Sequence, residues 1–475
     1  MKILFASSET APFTSTGGLA EVVASLPRAL RSRTVGVRIV TPLYSEISDE
    51  LKKDMKFIKA ITVNVAWRNQ YCGIYETTLD GITHYFLDNE FYFKRSTYYG
   101  HGDDAERFAF FSRAVLEMIL HIDFKPHIIH SNDWHTALIP AYLKLLYYDR
   151  PEYKNIKSVF TIHNIGFQGI FPPYIAEDTL GLPSNNPILY YDGMINFMKA
   201  AIETSDVVTT VSPTYAEEIK TEFYGCGLDR ILRERPGKIR GIINGIDMSS
   251  NDPSTDRNIF SNYNKDDLSG KAENKAGLQR IFNLKEDPDI PVLAMVTRLS
   301  PQKGIDLVMR VFDDIMKNDI QFIMLGTGDR RYELFFEEMN NTYPGRMGLI
   351  VRFIPEMSKK IYAGSDIFLM PSLTEPCGLA QMIAMRYGSI PVVRETGGLS
   401  DTVQGFNEAT GKGNGFSFHN YNAHDMLYVI ERAIQFYHNR PIWGKIQQES
   451  LASDTSWKVP AGEYTKLYKT LLTTK

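Results

Sequence analysis

Short apolar runs alternate with longer amphipathic stretches along almost the whole chain. Runs rich in Val, Ile, Leu and Phe predict strands at Lys2–Ser7, Val37–Thr41, His127–His130, Ser158–Ile162, Val207–Val211, Ile239–Ile243, Val292–Val296, Gln321–Leu325, Leu349–Phe353, Ile367–Met370 and Ile390–Val393. The clearest of the predicted helices between them are Gly18–Leu30, Thr136–Tyr148, Ile305–Lys317 and Leu379–Tyr387. Nearly continuous apolar strands separated by helices are typical of parallel sheets that are covered on both faces. The pattern therefore predicts an α/β protein with doubly wound sheets.

One polar stretch interrupts this alternation. Residues Asn251–Lys275 are rich in Asn, Asp, Ser and Lys and show almost no apolar periodicity, which predicts a linker or a long surface loop. Because strands and helices alternate on both sides of it, we expect two Rossmann-like domains, residues 1–247 and 248–454. The remaining segment, residues 455–475, has the pattern of an amphipathic terminal helix.

Composition and charge exclude several classes of protein. The chain has 475 residues and a formal net charge of −4, which argues against general wrapping of nucleic acid or binding to an anionic membrane. No apolar run is long enough to span a membrane, and the first apolar run is too short for a secretory signal. Cys72, Cys226 and Cys377 are far apart, which argues against a disulfide framework or a cysteine zinc site. We therefore expect a soluble, cytoplasmic globular protein.

A glycine turn occurs twice, once in each half of the chain. Thr16-Gly17-Gly18-Leu19 is repeated as Thr396-Gly397-Gly398-Leu399, and each copy follows a predicted strand. Ligands of open α/β sheets bind outside the carboxyl ends of the strands. We therefore expect the two turns to face each other across a cleft between the domains.

The second half contains a cationic loop and an acidic loop, each of which follows a strand. The P-loop pattern and G-x-G-x-x-G are both absent, so neither common phosphate-binding motif applies. Arg298 and Lys303 are placed to neutralise a diphosphate leaving group without a metal ion, although both could instead be solvated surface residues. Glu375 could bind sugar hydroxyls or stabilise a cationic transition state, and Gly378 would let the backbone approach a ligand. The alternative for Glu375 is an acid that simply favours a helix N-terminus.

The first half has polar residues after two predicted strands. Asp133 and His135 follow one of these strands, and His163-Asn164 follow the next. A histidine at such a position is either a binding residue or a hydrogen-bonded core residue, and residue type alone does not decide between them. Asn244 lies in a predicted turn.

Taken together, the motifs resemble the bacterial glycogen synthase and plant starch synthase family. They occur in family order along essentially the whole chain: Ser8-Glu9-Thr10-Ala11-Pro12-Phe13, Gly17-Gly18-Leu19, Asp133-Trp134-His135, Thr161-Ile162-His163-Asn164, Gly241-Ile242-Ile243-Asn244-Gly245-Ile246-Asp247, Arg298-Leu299, Gln302-Lys303-Gly304, Glu375-Pro376-Cys377-Gly378-Leu379 and Thr396-Gly397-Gly398-Leu399. The resemblance implies the GT-B glycosyltransferase fold, in which two Rossmann-like domains face a cleft and the terminal helix packs back on the first. It also implies transfer of glucose from ADP-glucose to the nonreducing end of an α-1,4-glucan with retention of configuration and without a cofactor or metal ion.

The resemblance also implies roles for individual residues. The catalytic residues would be His163, Arg298, Lys303 and Glu375. The donor would be bound by Ser15, Gly17, Gly18, Asn244, Arg298, Lys303, Glu375, Cys377, Gly378 and Leu379. The glucose and acceptor region would include Tyr92, Asp133, Asn164 and Asn244. The backbone carbonyl of His163 would stabilise positive charge at the anomeric carbon.

The chain departs from the family pattern at several positions. Ser15 stands where the family motif K-x-G-G-L has lysine, which removes a cation expected near the donor phosphate. Leu373, Thr374 and Ala380 replace the arginine, phenylalanine and threonine of S-R-F-E-P-C-G-L-T-Q, and Glu21 replaces an aspartate. Two alternatives therefore stay open beside the ADP-glucose enzyme: a glucan-binding paralogue with little catalysis, and a transferase that uses UDP-glucose.

Overall fold

The chain folds into two compact units. A computed structural model describes residues 1–32, 34–235 and 237–473. Unit 1 comprises Met1–Gly245 together with the segment that starts at Trp457, and unit 2 comprises Ile246–Ser456. The boundaries expected at residues 247 and 454 lie two residues from these divisions.

Unit 1 is built around a nine-stranded sheet. Its strands, including three short ones that form a separate small sheet, are β1 Lys2–Ala6, β2 Gly36–Pro42, β3 Lys56–Val65, β4 Arg68–Leu79, β5 Ile82–Asp88, β6 Ile128–Asn132, β7 Lys157–Ile162, β8 Ile170–Phe171, β9 Tyr190–Tyr191, β10 Met194–Asn196, β11 Val207–Thr210 and β12 Ile239–Gly241. Its α-helices are α1 Gly18–Leu30, α2 Asp49–Lys52, α3 Glu90–Phe93, α4 Asp104–Met118, α5 Leu138–Leu145, α6 Phe197–Thr204, α7 Pro213–Glu218 and α8 Asp229–Arg233.

The order of strands in this sheet places a topological switch point beside β1. The order is β12-β11-β7-β6-β1-β2-β5-β4-β3, and all neighbours from β12 to β5 are parallel. The chain builds outward from β1 through β2 on one side and then from β6 on the other. Ligands of such sheets bind at the carboxyl ends of the two strands where the direction changes. The loops after β1 and β6 are therefore the expected site in unit 1.

The β3–β4–β5 meander has no counterpart among the predicted elements. β4 is antiparallel to both neighbours, so one edge of the sheet is mixed rather than parallel. The outermost strand, β3, is exposed at most of its positions and carries Lys56 and Lys59. Such an edge strand carries charged and polar residues among its apolar ones. A search for continuous apolar runs therefore does not detect it.

Unit 2 is built around a six-stranded parallel sheet. Its strands are β13 Val292–Val296, β14 Gln321–Leu325, β15 Met347–Ile350, β16 Ile367–Met370, β17 Ile390–Arg394 and β18 Phe416–Phe418. Its α-helices are α9 Ser269–Ile281, α10 Ile305–Arg310, α11 Phe312–Lys317, α12 Arg330–Thr342, α13 Pro355–Gly364, α14 Ala380–Arg386, α15 Gly397–Thr402, α16 Ala423–His438 and α17 Arg440–Ala452. The order is β15-β14-β13-β16-β17-β18, so the switch point lies between β13 and β16.

Three sequence predictions for unit 2 differ from the structure. The strand expected at Leu349–Phe353 is β15, which ends at Ile350. The single helix expected at Ile305–Lys317 is divided into α10 and α11 because Val311 has a non-helical φ of −124°. The surface loop expected at Asn251–Lys275 is wrong in its last part, where α9 begins at Ser269.

Buried polar side chains explain why the start of α9 looks like a surface loop in the sequence. The Lys271 ammonium group donates to the backbone carbonyls of Ala363, Ser365 and Tyr387, and burial lowers its pKa to about 7. Lys275 forms an ion pair with Asp366 at 2.8 Å. Because these polar groups have partners, they are stable inside the protein, and a hydropathy pattern cannot reveal that pairing.

The terminal helix α18, Lys458–Thr473, belongs to unit 1. Its buried side chains, among them Tyr464, Leu467 and Tyr468, join one core cluster with residues of α1, β1 and β2. The Tyr468 hydroxyl lies 2.7 Å from Nδ1 of His130 on β6. The helix therefore covers the sheet close to its central strands.

Candidate active site

Asp133 lies at the carboxyl edge of the unit 1 sheet and combines an unusual backbone conformation with a raised pKa. It follows β6 with φ of +57°, which is uncommon for a residue other than glycine. Its Oδ1 accepts a hydrogen bond of 2.7 Å from the backbone N–H of His163, and the N–H of Asn164 lies 3.4 Å away. Burial raises the pKa of Asp133 to about 7, and the charge of Glu9 contributes in the same direction. The loops after β6 and β7 are thus joined through one carboxyl group that can hold a proton near neutral pH.

The imidazole of His163 is neutral and has a fixed orientation. Asn132 donates from Nδ2 to the carbonyls of Ala6 and His130, so its Oδ1 remains to accept from Nε2 of His163 at 2.9 Å. Burial lowers the pKa of His163 to about 3. Asn132 therefore places the histidine proton on Nε2. The sequence did not single out Asn132, although it occupies the last position of a strand.

Glu9 positions the glycine loop that precedes α1. Its carboxylate is 2% exposed and accepts hydrogen bonds from the N–H and hydroxyl of Thr16 and from the Tyr99 hydroxyl. Ser15, Gly17 and Gly18 themselves are exposed, and α1 begins at Gly18 as expected. Sequence analysis found the motif around Glu9 but assigned it no role, because its partners lie 7 and 90 positions away.

The other residues of unit 1 that were predicted to contact glucose or the acceptor differ in their exposure to solvent. Asn164 is half-buried beside Asp133, and its side-chain oxygen accepts from the N–H of Gly166. Asn244, in the loop after β12, is buried, and its Oδ1 has no hydrogen-bond partner in the part of the chain that the structure describes. Tyr92 has no exposed surface and donates its hydroxyl to Glu106, and its place in the acceptor region stays a prediction.

In unit 2, an ion pair bridges the two loops at the switch point. The Lys303 ammonium group lies 2.9 and 2.6 Å from the two carboxylate oxygens of Glu375. Lys303 is in the loop after β13, and Glu375 is in the loop after β16. Their side chains are 17% and 8% exposed, so the pair is largely shielded but still reachable. Because the two charges compensate each other, the pair adds little net positive charge to the site.

Further hydrogen bonds hold these two loops in register. The Ser372 hydroxyl donates to Oε2 of Glu375 at 2.9 Å, and the Gln302 amide donates to the Thr374 carbonyl at 3.1 Å. The buried guanidinium of Arg394 donates to the Leu373 carbonyl at 2.7 Å. Sequence analysis assigned no role to Ser372 or Arg394, because their hydrogen bonds to Glu375 and to the Leu373 carbonyl depend on the folded loop.

Arg298 differs from Lys303 because its charge is uncompensated. The residue is exposed, and its guanidinium makes no hydrogen bond or ion pair within residues 1–32, 34–235 and 237–473. An exposed guanidinium at the carboxyl edge of a parallel sheet is suited to bidentate binding of a phosphate. Of the two cations predicted for the anion site, Arg298 is therefore the one that is free to bind.

Glycine allows close packing around Glu375 and Cys377. Gly378 has φ of +74°, and a Cβ atom there would lie 2.4 Å from Oε1 of Gln381. A Cβ atom on Gly397 would lie 2.0 Å from the Glu375 carbonyl oxygen. Cys377 is buried, and Leu379 precedes α14, whose first backbone N–H groups face the same edge of the sheet. The glycine turn at Gly397 thus packs against the loop that carries Glu375. In the first turn, by contrast, a Cβ atom on Gly17 would have no atom within 4 Å.

These features define the class of protein. Two α/β units, each with candidate residues at the carboxyl edge beside a switch point, are characteristic of GT-B glycosyltransferases. The structure is similar to the catalytic domain of starch synthase IV from Arabidopsis thaliana bound to ADP and acarbose, with a TM-score of 0.93 and 34% identity over 100% of this chain and 99% of that one. It also shares its fold with sucrose-phosphate synthase from Thermosynechococcus elongatus, with a TM-score of 0.63 and 18% identity over 99% of this chain and 98% of that one. The protein is a retaining glycosyltransferase with the GT-B fold.

Sequence comparison defines the particular family. The family model for the starch synthase catalytic domain matches residues 2–234, and the model for glycosyl transferases group 1 matches residues 279–448. The chain is 52% identical to the glycogen synthase of Bacillus cereus (strain ATCC 10987 / NRS 248) over 99% of this chain and all of that one. It is 49% identical to the glycogen synthase of Geobacillus stearothermophilus over 99% of this chain and 98% of that one. The chain belongs to the glycogen synthase and starch synthase family, which confirms the resemblance seen in the motifs.

The described residues contain no helix that is both long and apolar enough to cross a lipid bilayer. Cys72, Cys226 and Cys377 are all free, and Cys226 is exposed.

The raised pKa of Asp133 predicts a pH-dependent stability. Because its pKa is about 7 in the folded protein and about 3.9 in the unfolded chain, Asp133 favours folding when protonated. This contribution is complete below about pH 4 and is lost as the pH rises through 7, by at most about 1.4 kcal/mol per pH unit. Asp133→Asn should remove that slope, because an amide oxygen still accepts the two backbone hydrogen bonds. The unfolding free energy of both proteins should be measured by urea denaturation between pH 5 and pH 8.

The control for this experiment is Asp54→Asn, which changes an exposed carboxyl group in the same unit. Its difference from the parent protein should not vary across the same range. A parallel course for the parent and Asp133→Asn would contradict the protonation assigned to Asp133.

Proposed function

We propose that the protein is a glycogen synthase that transfers glucose from ADP-glucose to the nonreducing-end 4-hydroxyl of an α-1,4-glucan, with retention and without a metal ion. The observation that carries the proposal is the Lys303–Glu375 pair at the switch point of unit 2, in a chain that matches glycogen synthases over its whole length. ADP in the Arabidopsis starch synthase structure supports an adenine nucleotide as part of the donor. Free cysteines favour a reducing compartment, so we also propose a cytoplasmic location.

The donor would be bound by unit 2 through separate groups for phosphate and sugar. Arg298 makes no ion pair with a carboxylate in the described part of the chain and would bind the diphosphate in a bidentate manner. Lys303 directs two hydrogen bonds to Glu375, so one N–H remains for a phosphate oxygen. The remaining acceptor capacity of the Glu375 carboxylate would bind glucose hydroxyls. The bound diphosphate would thereby place its negative charge beside the Lys303–Glu375 pair, which has no net charge.

The reaction breaks the bond between the anomeric carbon and the diphosphate oxygen and forms a bond from that carbon to O4 of the acceptor. The proton of the acceptor hydroxyl passes to the departing diphosphate, which Arg298 and Lys303 stabilise as charge develops. In unit 1, the backbone carbonyl of His163 would stabilise the positive anomeric carbon. The His163 ring is neutral and is held by Asn132, so it would not add a positive charge there. Asp133 fixes the backbone of His163 and Asn164 by accepting hydrogen bonds from their N–H groups.

The test is transfer of radiolabelled glucose into glycogen from ADP-glucose and, separately, from UDP-glucose. Incorporation that is faster from ADP-glucose is the expected result. Faster incorporation from UDP-glucose would assign the alternative donor. No incorporation from either donor, with glycogen binding retained, would contradict the proposal and select the glucan-binding paralogue.

Replacement of Arg298 tests the donor site directly. Arg298→Ala should weaken binding of ADP by about tenfold or more, because a charge-assisted bidentate contact is lost. The free energy of unfolding should change by less than about 0.5 kcal/mol, since the Arg298 side chain has no partner among the residues that the structure describes. The measurements are isothermal titration calorimetry with ADP and urea denaturation. Arg310→Ala, which removes an equally charged exposed residue from α10, is the control and should leave ADP binding unchanged.

Restoring the family lysine tests the first glycine loop. Ser15→Lys should raise kcat/KM for ADP-glucose by about tenfold, because it adds a cation to an exposed loop that has none. Ser32→Lys adds the same charge to an exposed serine at the opposite edge of the sheet, between α1 and β2, and should have no such effect. An unchanged rate in Ser15→Lys would show that this position does not limit catalysis.

A further inference from the structure

The position of Arg298 is set by the backbone on either side of it. Its guanidinium has no hydrogen bond or ion pair among the residues described, so no side-chain contact in the protein orients it. The N–H of Thr297 donates to the Leu325 carbonyl at 3.1 Å, and the N–H of Leu299 donates to the Thr327 carbonyl at 2.9 Å. Leu325 is the last residue of β14, and Thr327 lies in the loop after it. The pairing of β13 with β14 therefore continues past the ends of both strands and includes the backbone next to Arg298.

The loop Gly326-Thr327-Gly328, called the two-glycine loop below, packs against both neighbours of Arg298. A Cβ atom on Gly326 would lie 1.9 Å from the Thr297 carbonyl oxygen, and a Cβ atom on Gly328 would lie 2.1 Å from the Leu299 carbonyl oxygen. Gly328 also forms a parallel bridge with Leu299. Neither glycine could carry a side chain unless the backbone beside Arg298 moved. The loop is thus a template for the backbone that presents this guanidinium.

Glu333 on α12 anchors the two-glycine loop. Its Oε1 accepts a hydrogen bond of 2.7 Å from the Thr327 hydroxyl and one of 3.1 Å from the Gly328 N–H. The Glu333 side chain is 12% exposed, and its Oε2 lies 3.2 Å from Nη1 of Arg330. Hydrogen bonds from Thr327, from the Gly328 N–H and from Arg330 lower the pKa of Glu333. Because glycine has the greatest conformational freedom of any residue, a loop with two glycines keeps one shape only if something holds it.

The start of α12 is itself fixed against the helix that follows the Arg298 loop. Tyr332 is buried, and its hydroxyl donates to Oδ2 of Asp306 at 3.0 Å. Asp306 is the second residue of α10, which begins two residues after Lys303. Phe336, one turn further along α12, belongs to the core of unit 2. The carboxylate of Glu333 therefore projects from a helix that is packed firmly against the sheet.

We propose that Glu333 is a positioning residue for the donor diphosphate, because it holds the two-glycine loop in the conformation that fixes the backbone of Arg298. This inference rests on the proposed function, in which Arg298 binds the diphosphate. Small displacements of a binding group lower its contribution strongly, and a guanidinium without a protein partner moves with its backbone. Glu333 would act through Arg298 rather than by contact with the donor, since a carboxylate repels a phosphate.

The alternative is that Glu333 only stabilises the start of α12. A local role of that kind would lower the free energy of unfolding and would change ADP binding equally whether or not Arg298 is present. A positioning role makes the effect on ADP binding depend on Arg298. A double-mutant cycle separates the two, because residues that act together give non-additive changes.

The test is isothermal titration calorimetry of the full chain with ADP. Glu333→Ala should weaken ADP binding by about fivefold, and by no more than Arg298→Ala does. Glu333→Gln keeps an oxygen that can accept from Thr327 and Gly328, so it should restore most of the affinity. In the Arg298→Ala background, Glu333→Ala should cause no further loss.

The matched control is Glu337→Ala. Glu337 lies one turn further along α12 and pairs with the same Arg330 at 2.9 Å, but it donates no contact to the two-glycine loop in the described part of the chain. Its replacement should leave ADP binding unchanged. Urea denaturation of each variant reports whether it folds. Thr327→Val removes the hydroxyl that Glu333 binds, and it tests the same anchor from the loop side with an expected loss of about twofold.

Unchanged ADP binding in folded Glu333→Ala, with weakened binding in Arg298→Ala, would overturn the inference and leave the proposed function standing. An equal loss from Glu333→Ala in both backgrounds would also overturn it. Unchanged binding in Arg298→Ala would refute the proposed donor site and the inference together. If the expected coupling is found in ADP binding but the parent transfers no glucose, the proposed function fails and the role of Glu333 stands.

Discussion

Parallel pairing of the central strands is the constraint on which the candidate residues of each unit depend. It forces the loops after neighbouring strands to the same edge of each sheet. In unit 2, the adjacency of β13 and β16 brings Lys303 within 2.6 Å of Glu375, although 72 positions separate them in the chain. In unit 1, the pairing of β6 with β7 lets Asp133 bind the backbone of His163. The chemistry of each unit follows from strand order rather than from any contiguous motif.

Local sequence pattern predicted which residues reach these edges but not what they meet there. Lys303 and Glu375 were placed correctly after their strands because buried parallel strands are nearly continuous apolar runs. Their ion pair could not be predicted, since strand order is a property of the whole sheet. The meander of β3 to β5 was missed because an edge strand alternates polar and apolar residues. The burial of Tyr92 could not be predicted, because Glu106, which accepts its hydroxyl hydrogen bond, lies on a helix that comes later in the chain.

The ion pair also changes the electrostatics that the motifs suggest. Counted from the sequence, Arg298 and Lys303 supply two positive charges to an anion. In the structure, Glu375 compensates Lys303, so the uncompensated charge at the unit 2 edge is that of Arg298. Ser15 leaves the exposed glycine loop of unit 1 without the family lysine. If the chain binds a diphosphate as proposed, that binding would therefore depend more strongly on Arg298 than the family pattern indicates.

The carboxyl groups of Glu9 and Asp133 lie near each other in unit 1 but have different environments. The Glu9 carboxylate accepts hydrogen bonds from Thr16 and Tyr99, so the protein compensates it directly. The Asp133 carboxyl group accepts hydrogen bonds from the backbone N–H groups of His163 and Asn164, and burial with the nearby charge of Glu9 raises its pKa to about 7. Near neutral pH, Asp133 therefore keeps its proton in a large fraction of molecules, and its carboxyl group still orients the backbone of His163. Glu9 thus holds the glycine loop through its hydrogen bonds with Thr16, and Asp133 holds the loop after β7 through a carboxyl group that can keep its proton near neutral pH.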